Sequence, residues 1–312
     1  IIGIDRRRPI PGFARGVRVP DSATNVAQAR ADRGRAKTAD DAGLIPVTVA
    51  YFHDLFARYN EPGLPRAAVA VLEAHGLRVV VPPQRSSGVP EMLYGYAKAA
   101  ARAAAWNIGY LAPLVRQGAV IVCTEPTAGF AFKVHYSDYL RDEDCALVAN
   151  ASHDLGEFLV CYRTDHPGSA PAARGLGPAA ALRRDPEATA GLDRSQAWEP
   201  GAGIIRLAYH LPCHLKTQQV GAPALELLRE IPGVEVHDLA AGCCGMAGTF
   251  GMKKGTYERS LEMGRPLFER VAQVAPDLIV SECSTCRQQL AHATGLPAVH
   301  PVMLLAPSYG AI

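Results

Sequence analysis

Five of the chain's eight cysteines fall at three short stations within its last hundred residues. Cys213 stands in His-Leu-Pro-Cys-His. Cys243 and Cys244 are adjacent in Ala-Gly-Cys-Cys-Gly. Cys283 and Cys286 form a Cys-x-x-Cys pair in Ser-Glu-Cys-Ser-Thr-Cys. Thiolates are soft ligands and select iron–sulfur clusters, zinc or Cu(I) over magnesium or calcium. A cubane cluster or a structural zinc takes four protein ligands. Five thiols therefore leave one spare, or one bridges two irons of a less regular cluster. The adjacent pair favours bridging, because neighbouring residues strain the backbone if both sulfurs face one tetrahedral ion. A disulfide framework does not suit a chain of this length, with clustered cysteines and no signal-peptide pattern.

Each station follows an apolar run that reads as a strand: 204–209 before Cys213, 234–239 before the pair, and 278–280 before Cys283. Helical spacing fills the intervals at 222–230 and 257–274, and a further helix starts at 287–292. Thiols at the ends of strands converge on one edge of a sheet, the usual ligand position of α/β folds. Cys286 falls near a helix start, where the dipole favours a thiolate. Upstream, strands are predicted at 47–51, 77–81 and 118–122, with helices at 65–75 and 94–110. Alternation of this kind predicts an α/β fold of two tandem Rossmann-like lobes with mainly parallel sheets and right-handed crossovers.

The two lobes read as an internal repeat. Val47-Thr-Val-Ala-Tyr matches Ile205-Arg-Leu-Ala-Tyr, and Leu55 falls near Cys213. Arg85-Ser-Ser-Gly matches Gly242-Cys-Cys-Gly, which puts Ser86 and Ser87 opposite the cysteine pair. Glu125-Pro-Thr-Ala128 matches Cys283-Ser-Thr-Cys286. Serine is a poor ligand for soft iron, and leucine and alanine are none. The expected organisation is an extended arm at 1–44, a cluster-free lobe at 45–165, a linker at 166–203 with a short helix at 177–184, and a cluster-binding lobe at 204–312. The first lobe is expected to serve as scaffold. A sharper alternative makes it a docking surface or a pocket lined by His53, Ser86, Ser87, Glu125 and Cys123.

The order Cys, Cys-Cys-Gly, Cys-x-x-Cys resembles the cysteine-rich CCG domain family. Its members include the B subunit of heterodisulfide reductase, the iron–sulfur subunits of glycolate and lactate oxidation, and the C subunit of anaerobic glycerol-3-phosphate dehydrogenase. The stretches Gly242-Cys-Cys-Gly-Met-Ala-Gly-Thr-Phe-Gly-Met-Lys-Lys, Asp277-Leu-Ile-Val-Ser-Glu-Cys-Ser-Thr-Cys and His300-Pro-Val-Met-Leu-Leu carry the resemblance. It covers most of 47–306 and is strong over 207–305. It implies that Cys213, Cys243, Cys244, Cys283 and Cys286 hold an iron–sulfur cluster of the 4Fe-4S kind, cubane or non-cubane. Family members with two intact copies carry cysteines at the positions of Leu55, Ser86, Ser87 and Ala128; this chain has lost all four. The implied role is electron transfer in a flavin-dependent dehydrogenase or oxidase complex. The substrate would be a 2-hydroxy acid (glycolate, lactate, 2-hydroxyglutarate) or glycerol 3-phosphate, and the acceptor a quinone or another carrier. FAD and a ferredoxin-like iron–sulfur domain are expected on partners, in the same or a separate chain, in the cytoplasm or at the inner face of the membrane. Two rivals are disulfide reduction of the heterodisulfide-reductase type and a zinc-stabilised, non-redox module. The first rival uses two intact sites where this chain has one.

Other residues have plainer readings. Gly242, Gly245, Gly248 and Gly251 recur every third residue, which is not a dinucleotide fingerprint; backbone N–H groups approaching sulfur explain them better. His210 and His214 flank Cys213 as satisfied loop histidines, with cluster tuning or proton relay as the alternative. Lys253 and Lys254 read as surface lysines. Arg6, Arg7 and Arg8 read as a solvated charge run. Cys123, Cys145 and Cys161 read as small buried hydrophobes. A net charge of +2 gives no case for nucleic acid, and no apolar run is long enough to span a bilayer. The chain begins Ile-Ile-Gly-Ile-Asp without methionine and has no upstream ferredoxin cysteine run; a fragment or a partner subunit is the expectation.

Overall fold

The computed structural model describes residues 3–14, 47–176 and 204–311. Most of the expected arm, and the expected short helix at 177–184, lie outside the described residues. The short runs TVAYF and VIVC are β-branched and aromatic, and nearly every position is buried. Continuous burial on both faces is what a parallel sheet covered by helices requires. Accordingly β1 (Thr48–Phe52), β2 (Arg78–Val80), β3 (Val120–Cys123) and β4 (Ser152–Asp154) form one parallel sheet in the order β2-β1-β3-β4. The second sheet repeats the topology: β5 (Ile205–Tyr209), β6 (Val234–Asp238), β7 (Leu278–Val280) and β8 (Ala298–Val299) run in the order β6-β5-β7-β8, all parallel. The predicted fold class is thus the observed one: an α/β chain of two similar lobes.

The helices match the expected positions with shifted ends. Helix Gly63–Ala74 carries Pro65 in its first turn, where the missing N–H costs nothing. The alanine-rich helix runs Ala97–Val115, later than expected at both ends, and tolerates Pro113 within its last turn. Helix Tyr257–Val274 matches the predicted span. Helix Ser284–Thr294 begins earlier than expected, directly at the Cys-x-x-Cys pair. Several short helices between Pro126 and Asp165 were not foreseen. The last, Leu155–Asp165, is closed by a capping box in which Asp154 accepts from Gly156 N–H and Glu157 reaches back to Asp154 N–H.

The lobes share a core. One apolar cluster joins Val49, Tyr51, Val71 and Leu72 of the first lobe to Ile205, Leu207, Tyr209 and Leu304 of the second. Helix Gly63–Ala74 packs against helix Val302–Ser308 across that boundary. Each such side chain, fully buried, contributes about 1.5–3 kcal/mol. The cysteine-poor lobe therefore covers apolar surface that lobe two would otherwise expose.

The described N-terminal residues do not form a free arm. Ile4 makes an antiparallel bridge with Lys253, and Asp5 N–H donates to Met252 O at 2.9 Å. The solvated-charge reading holds for Arg6 and Arg7, which are exposed, and not for Arg8. Arg7 pairs with Asp5 and Glu258. Arg8 is only 4% exposed and donates from Nε to Gly251 O at 2.7 Å, from Nη1 to Gln289 Oε1 and from Nη2 to Ser260 Oγ. Its partners lie more than two hundred residues downstream, so local composition could not announce the burial. Cys123 and Cys145 are buried as expected, whereas Cys161 is exposed on helix Leu155–Asp165, which corrects that reading.

Candidate metal centre

The three cysteine stations follow the C-terminal ends of β5, β6 and β7, the side of a parallel sheet where connecting loops converge. Cys213 opens helix Cys213–Thr217, directly after Pro212 at the N-cap. Cys243 and Cys244 lie in the loop after β6. Cys283 is the N-cap of helix Ser284–Thr294, and Cys286 sits in its first turn. Cys244, Cys283 and Cys286 are buried, while Cys213 and Cys243 are exposed. The sulfurs of Cys244 and Cys286 are 3.2 Å apart.

These thiols set one another's charge. Hydrogen bonds from Cys243 and Cys286 hold the Cys244 thiol far below its ordinary range, with His210 adding to the effect. A bond from Cys286 brings Cys283 down to about 6, against its burial. The donors Cys243 and Cys286 are pushed up in return. Cys213 is raised by desolvation first and then by the charges of Cys283 and Cys244, which places it within electrostatic reach of the group. The set is a sulfur-lined recess, three thiols deep and two at the rim. It fits a soft, polynuclear iron site by donor chemistry: five sulfurs gather here, the pKa values of Cys244 and Cys283 are held low, and Gly245 N–H already donates to Cys243 Sγ at 3.3 Å.

His210 belongs to this recess. It is 3% exposed, and one of its ring nitrogens lies with the sulfurs of Cys244 and Cys286 inside a 4.8 Å span. It is not the merely satisfied loop histidine that the sequence suggested. The pattern His-x-x-Cys, directly after a strand, was the signal available. His214 faces the other way: its Nδ1 lies 2.9 Å from Thr127 Oγ1 and its ring stacks on Phe130 at 5.4 Å. Burial lowers its pKa and favours the neutral ring.

The glycines answer mainly to packing. Gly245 has φ +85°, and a Cβ there would stand 2.0 Å from Ser260 O. A Cβ on Gly264 would stand 2.5 Å from Cys244 O. Helix Tyr257–Val274 thus lies directly on the Cys-Cys-Gly loop, and Ser260 Oγ donates to Gly245 O at 2.8 Å. Arg8 and Gln289 bind the same serine from behind. Lys253 and Lys254 are exposed, with the Lys253 ammonium over the Tyr94 ring.

Lobe one has the same stations without thiols. Leu55 opens the helix after β1, as Cys213 does after β5. Ser87 Oγ donates to Asp54 at 2.7 Å, and Ser86 Oγ to Glu91 at 3.1 Å. Glu125 is an N-cap where its counterpart is Cys283, and Ala128 takes the place of Cys286. Glu125 turns toward lobe two: it accepts from Ser284 N–H at 3.1 Å, and burial raises its carboxyl well above the usual range. Gln218 Nε2 reaches Pro126 O, His300 Nε2 lies 2.9 Å from Thr124 O, and Arg287 donates to Glu61 at 2.5 Å. Hydrogen bonds from the thiol-free stations therefore brace the loops that carry the thiols.

Comparison with known proteins agrees with this architecture. The protein-family model described as "Cysteine-rich domain" (CCG) matches residues 207–291. The C subunit of the anaerobic glycerol-3-phosphate dehydrogenase of Escherichia coli (strain K12) is 30% identical over 260 residues, covering 83% of this chain and 58% of that protein. The D-2-hydroxyglutarate dehydrogenase of Pseudomonas putida is 26% identical over 262 residues, covering 82% of this chain and 22% of that protein. The B subunit of the fumarate reductase (CoM/CoB) of Methanothermobacter marburgensis is 31% identical over 86 residues, 27% of this chain and 17% of that one. The chain spans 58% or less of each of these relatives.

Proposed function

We propose, for a chain whose residues 207–291 are a cysteine-rich CCG domain, that Cys213, Cys243, Cys244, Cys283 and Cys286 hold one iron–sulfur cluster in an oxidoreductase. The cluster is of the four-iron kind, cubane or non-cubane. When bound, such a cluster accepts and passes on one electron at a time. The observation that carries the reading is the recess of three buried and two exposed thiols at the strand ends of one lobe.

The chain's own residues divide the work. Cys244, Cys283 and Cys286, which are buried, would hold the group away from water, and Cys213 and Cys243, which are exposed, would hold it where a partner can approach. Arg8 places a buried guanidinium behind the loop, opposite in sign to thiolate-bound iron and sulfide. Thr127, Phe130 and Glu125 hold the loops of Cys213 and Cys283 in place from lobe one.

In the finer reading, the electrons come from a flavin-dependent dehydrogenase or oxidase acting on a 2-hydroxy acid such as glycolate, lactate or 2-hydroxyglutarate, or on glycerol 3-phosphate. They pass through a ferredoxin-like iron–sulfur domain, in the same or a separate chain, toward a quinone or another carrier. What supports this is likeness to relatives named for such dehydrogenases. Among the described residues no helix is long and apolar enough to cross a membrane, which suits the expected place in the cytoplasm or at the inner membrane face.

Two experiments test the reading. Anaerobic isolation followed by iron, acid-labile sulfide and zinc assays should give iron and sulfide; stoichiometric zinc without iron overturns the cluster. The intact native assembly should contain flavin, and reduction by one of the named substrates should change the cluster's electron paramagnetic resonance signal. An assembly without flavin, whose signal no hydroxylated substrate alters, refutes the relay and favours disulfide chemistry.

A further inference from the structure

Arg8 is a buried cation bonded only to neutral atoms. Its guanidinium donates to Gly251 O, Gln289 Oε1 and Ser260 Oγ, and none of these carries charge. Among the described residues no carboxylate pairs with it. Asp5, its neighbour in sequence, is held on both oxygens by Arg7, through Nε to Oδ1 and Nη2 to Oδ2. Arg7 is exposed and also pairs with Glu258, so solvent and two acids offset its charge. Arg8 has neither. Arginine stays protonated in proteins, and a buried charge without a counter-charge is costly. A compensating negative charge is therefore expected close by.

The thiol recess supplies it. Two hydrogen-bonded paths lead from the guanidinium to the Cys-Cys-Gly loop. Ser260 Oγ accepts from Arg8 at 3.3 Å and donates to Gly245 O, beside Cys244. Gly251 O accepts from Arg8 at 2.7 Å, and Gly251 N–H donates to Met246 O in the same loop. Burial lowers the Arg8 pKa, and the Cys244 thiolate is among the charges that oppose this. The two groups thus feel each other's fields. Bonds to a loop and to two helices fix the fork, so it cannot turn to an acid at the surface.

Reduction of a bound cluster adds one negative charge to this recess. Resting on the cluster reading above, we propose that Arg8 sets the reduction potential of the site: its buried positive charge favours the reduced, more negative state. Arg8 ligates nothing and acts through its field, as a positioning residue. The step is the gain of one electron, and no bond or proton moves with it. Buried charges are screened little by salt, so the effect persists at high ionic strength.

Potentiometric titration of the anaerobically purified full chain tests this, with dithionite as the electron source and electron paramagnetic resonance as the readout. In Arg8→Gln the equilibrium constant for reduction should fall about tenfold, which lowers a one-electron potential by about 59 mV. Arg8→Lys keeps the charge and loses the fork. Its potential should stay close to that of the wild type although its stability does not recover, which separates charge from packing. Gln289→Glu leaves Arg8 in place and gives it a carboxylate through the side chain that already accepts its bond. It should lower the potential as Arg8→Gln does, and its result stands even if Arg8→Gln loses the cluster. A wild-type potential in Gln289→Glu, or a potential in Arg8→Lys as low as in Arg8→Gln, overturns the proposal. Iron and sulfide are assayed on every sample. A wild-type chain without them refutes the cluster and this inference with it, whereas a loaded chain whose potential ignores these substitutions refutes this inference alone.

Discussion

Replacing Gly245 by alanine tests how the Cys-Cys-Gly loop is held. The backbone there is left-handed, at φ +85°, and a non-glycine residue pays about 1–2 kcal/mol for that region. The added Cβ would also meet Ser260 O at 2.0 Å. That atom belongs to a helix backbone, so relief requires helix Tyr257–Val274 to move away from the loop. Overpacking of this kind costs about 1–3 kcal/mol. Together the loss is about 2–5 kcal/mol, against a typical total of about 5–15. Urea unfolding of the anaerobically purified protein should show a midpoint lower by about 1–2 M, and iron and sulfide per chain should fall with it. Gly264→Ala adds crowding without a positive φ, because its Cβ would meet Phe268 Cζ at 2.3 Å, which the ring can relieve by moving, and Cys244 O at 2.5 Å; its effect should be smaller. Gly251→Ala would meet Ser260 Oγ at 2.2 Å, so Ser260→Gly should partly rescue it but not Gly245→Ala. Unchanged midpoint and iron content in Gly245→Ala would refute the packing argument.

Cys244→Ser should remove or convert the cluster, since a harder ligand cannot bridge iron as a thiolate does; an electron paramagnetic resonance signal and iron content identical to the wild type would count against its ligand role. Lobe one should bind no metal, so anaerobic iron analysis should fit one cluster per chain, and two would mean that Leu55, Ser86, Ser87 and Ala128 were misread. Arg8→Gln should destabilise the fold by about 2–4 kcal/mol through lost charge-assisted bonds, and Arg8→Lys should not restore it, because a point charge cannot serve Gly251 O, Gln289 and Ser260 together; full rescue by lysine in urea unfolding would contradict this. Burial raises the Asp154 carboxyl from 3.8 to about 7. The folded state therefore binds more protons than the unfolded one between those values, and this stabilisation is lost as pH rises through 7. Asp154→Asn, which keeps the helix cap, should gain stability relative to wild type from pH 5 to pH 8; an equal difference at both ends would show that the carboxyl is ionised throughout.

The local signals in the sequence were strong where chemistry and strand pattern coincide. Val47–Tyr51 is a β-branched run, Ile205–Tyr209 repeats its largely apolar pattern, and the cysteines stand shortly after such runs, so the fold class and the grouping of the thiols were legible together. β4 was not, because Ser152-His153-Asp154 has no strand character of its own; it pairs with β3 through Ile121–Ser152 and Cys123–Asp154, a template set by the tertiary fold. β8 is only two residues long. The π-helical turn Ala131–His135 blurred the helical period after Glu125. The burial of Arg8 and the bond from Ser284 to Glu125 were not legible, because each joins residues from different lobes or distant segments and no spacing within one segment encodes that.

The bond from Arg8 to Gln289 joins residues 281 positions apart. During synthesis the first of these leaves the ribosome when nearly all of the second lobe has yet to be made. The wall behind the Cys-Cys-Gly loop therefore closes only after helix Ser284–Thr294 has emerged, the same helix that brings Cys283 and Cys286. Ligands and brace are completed in one late event, so iron delivered to a growing chain would find Cys213, Cys243 and Cys244 without their buried partners. The order of translation itself then ties loading of the site to the emergence of helix Ser284–Thr294.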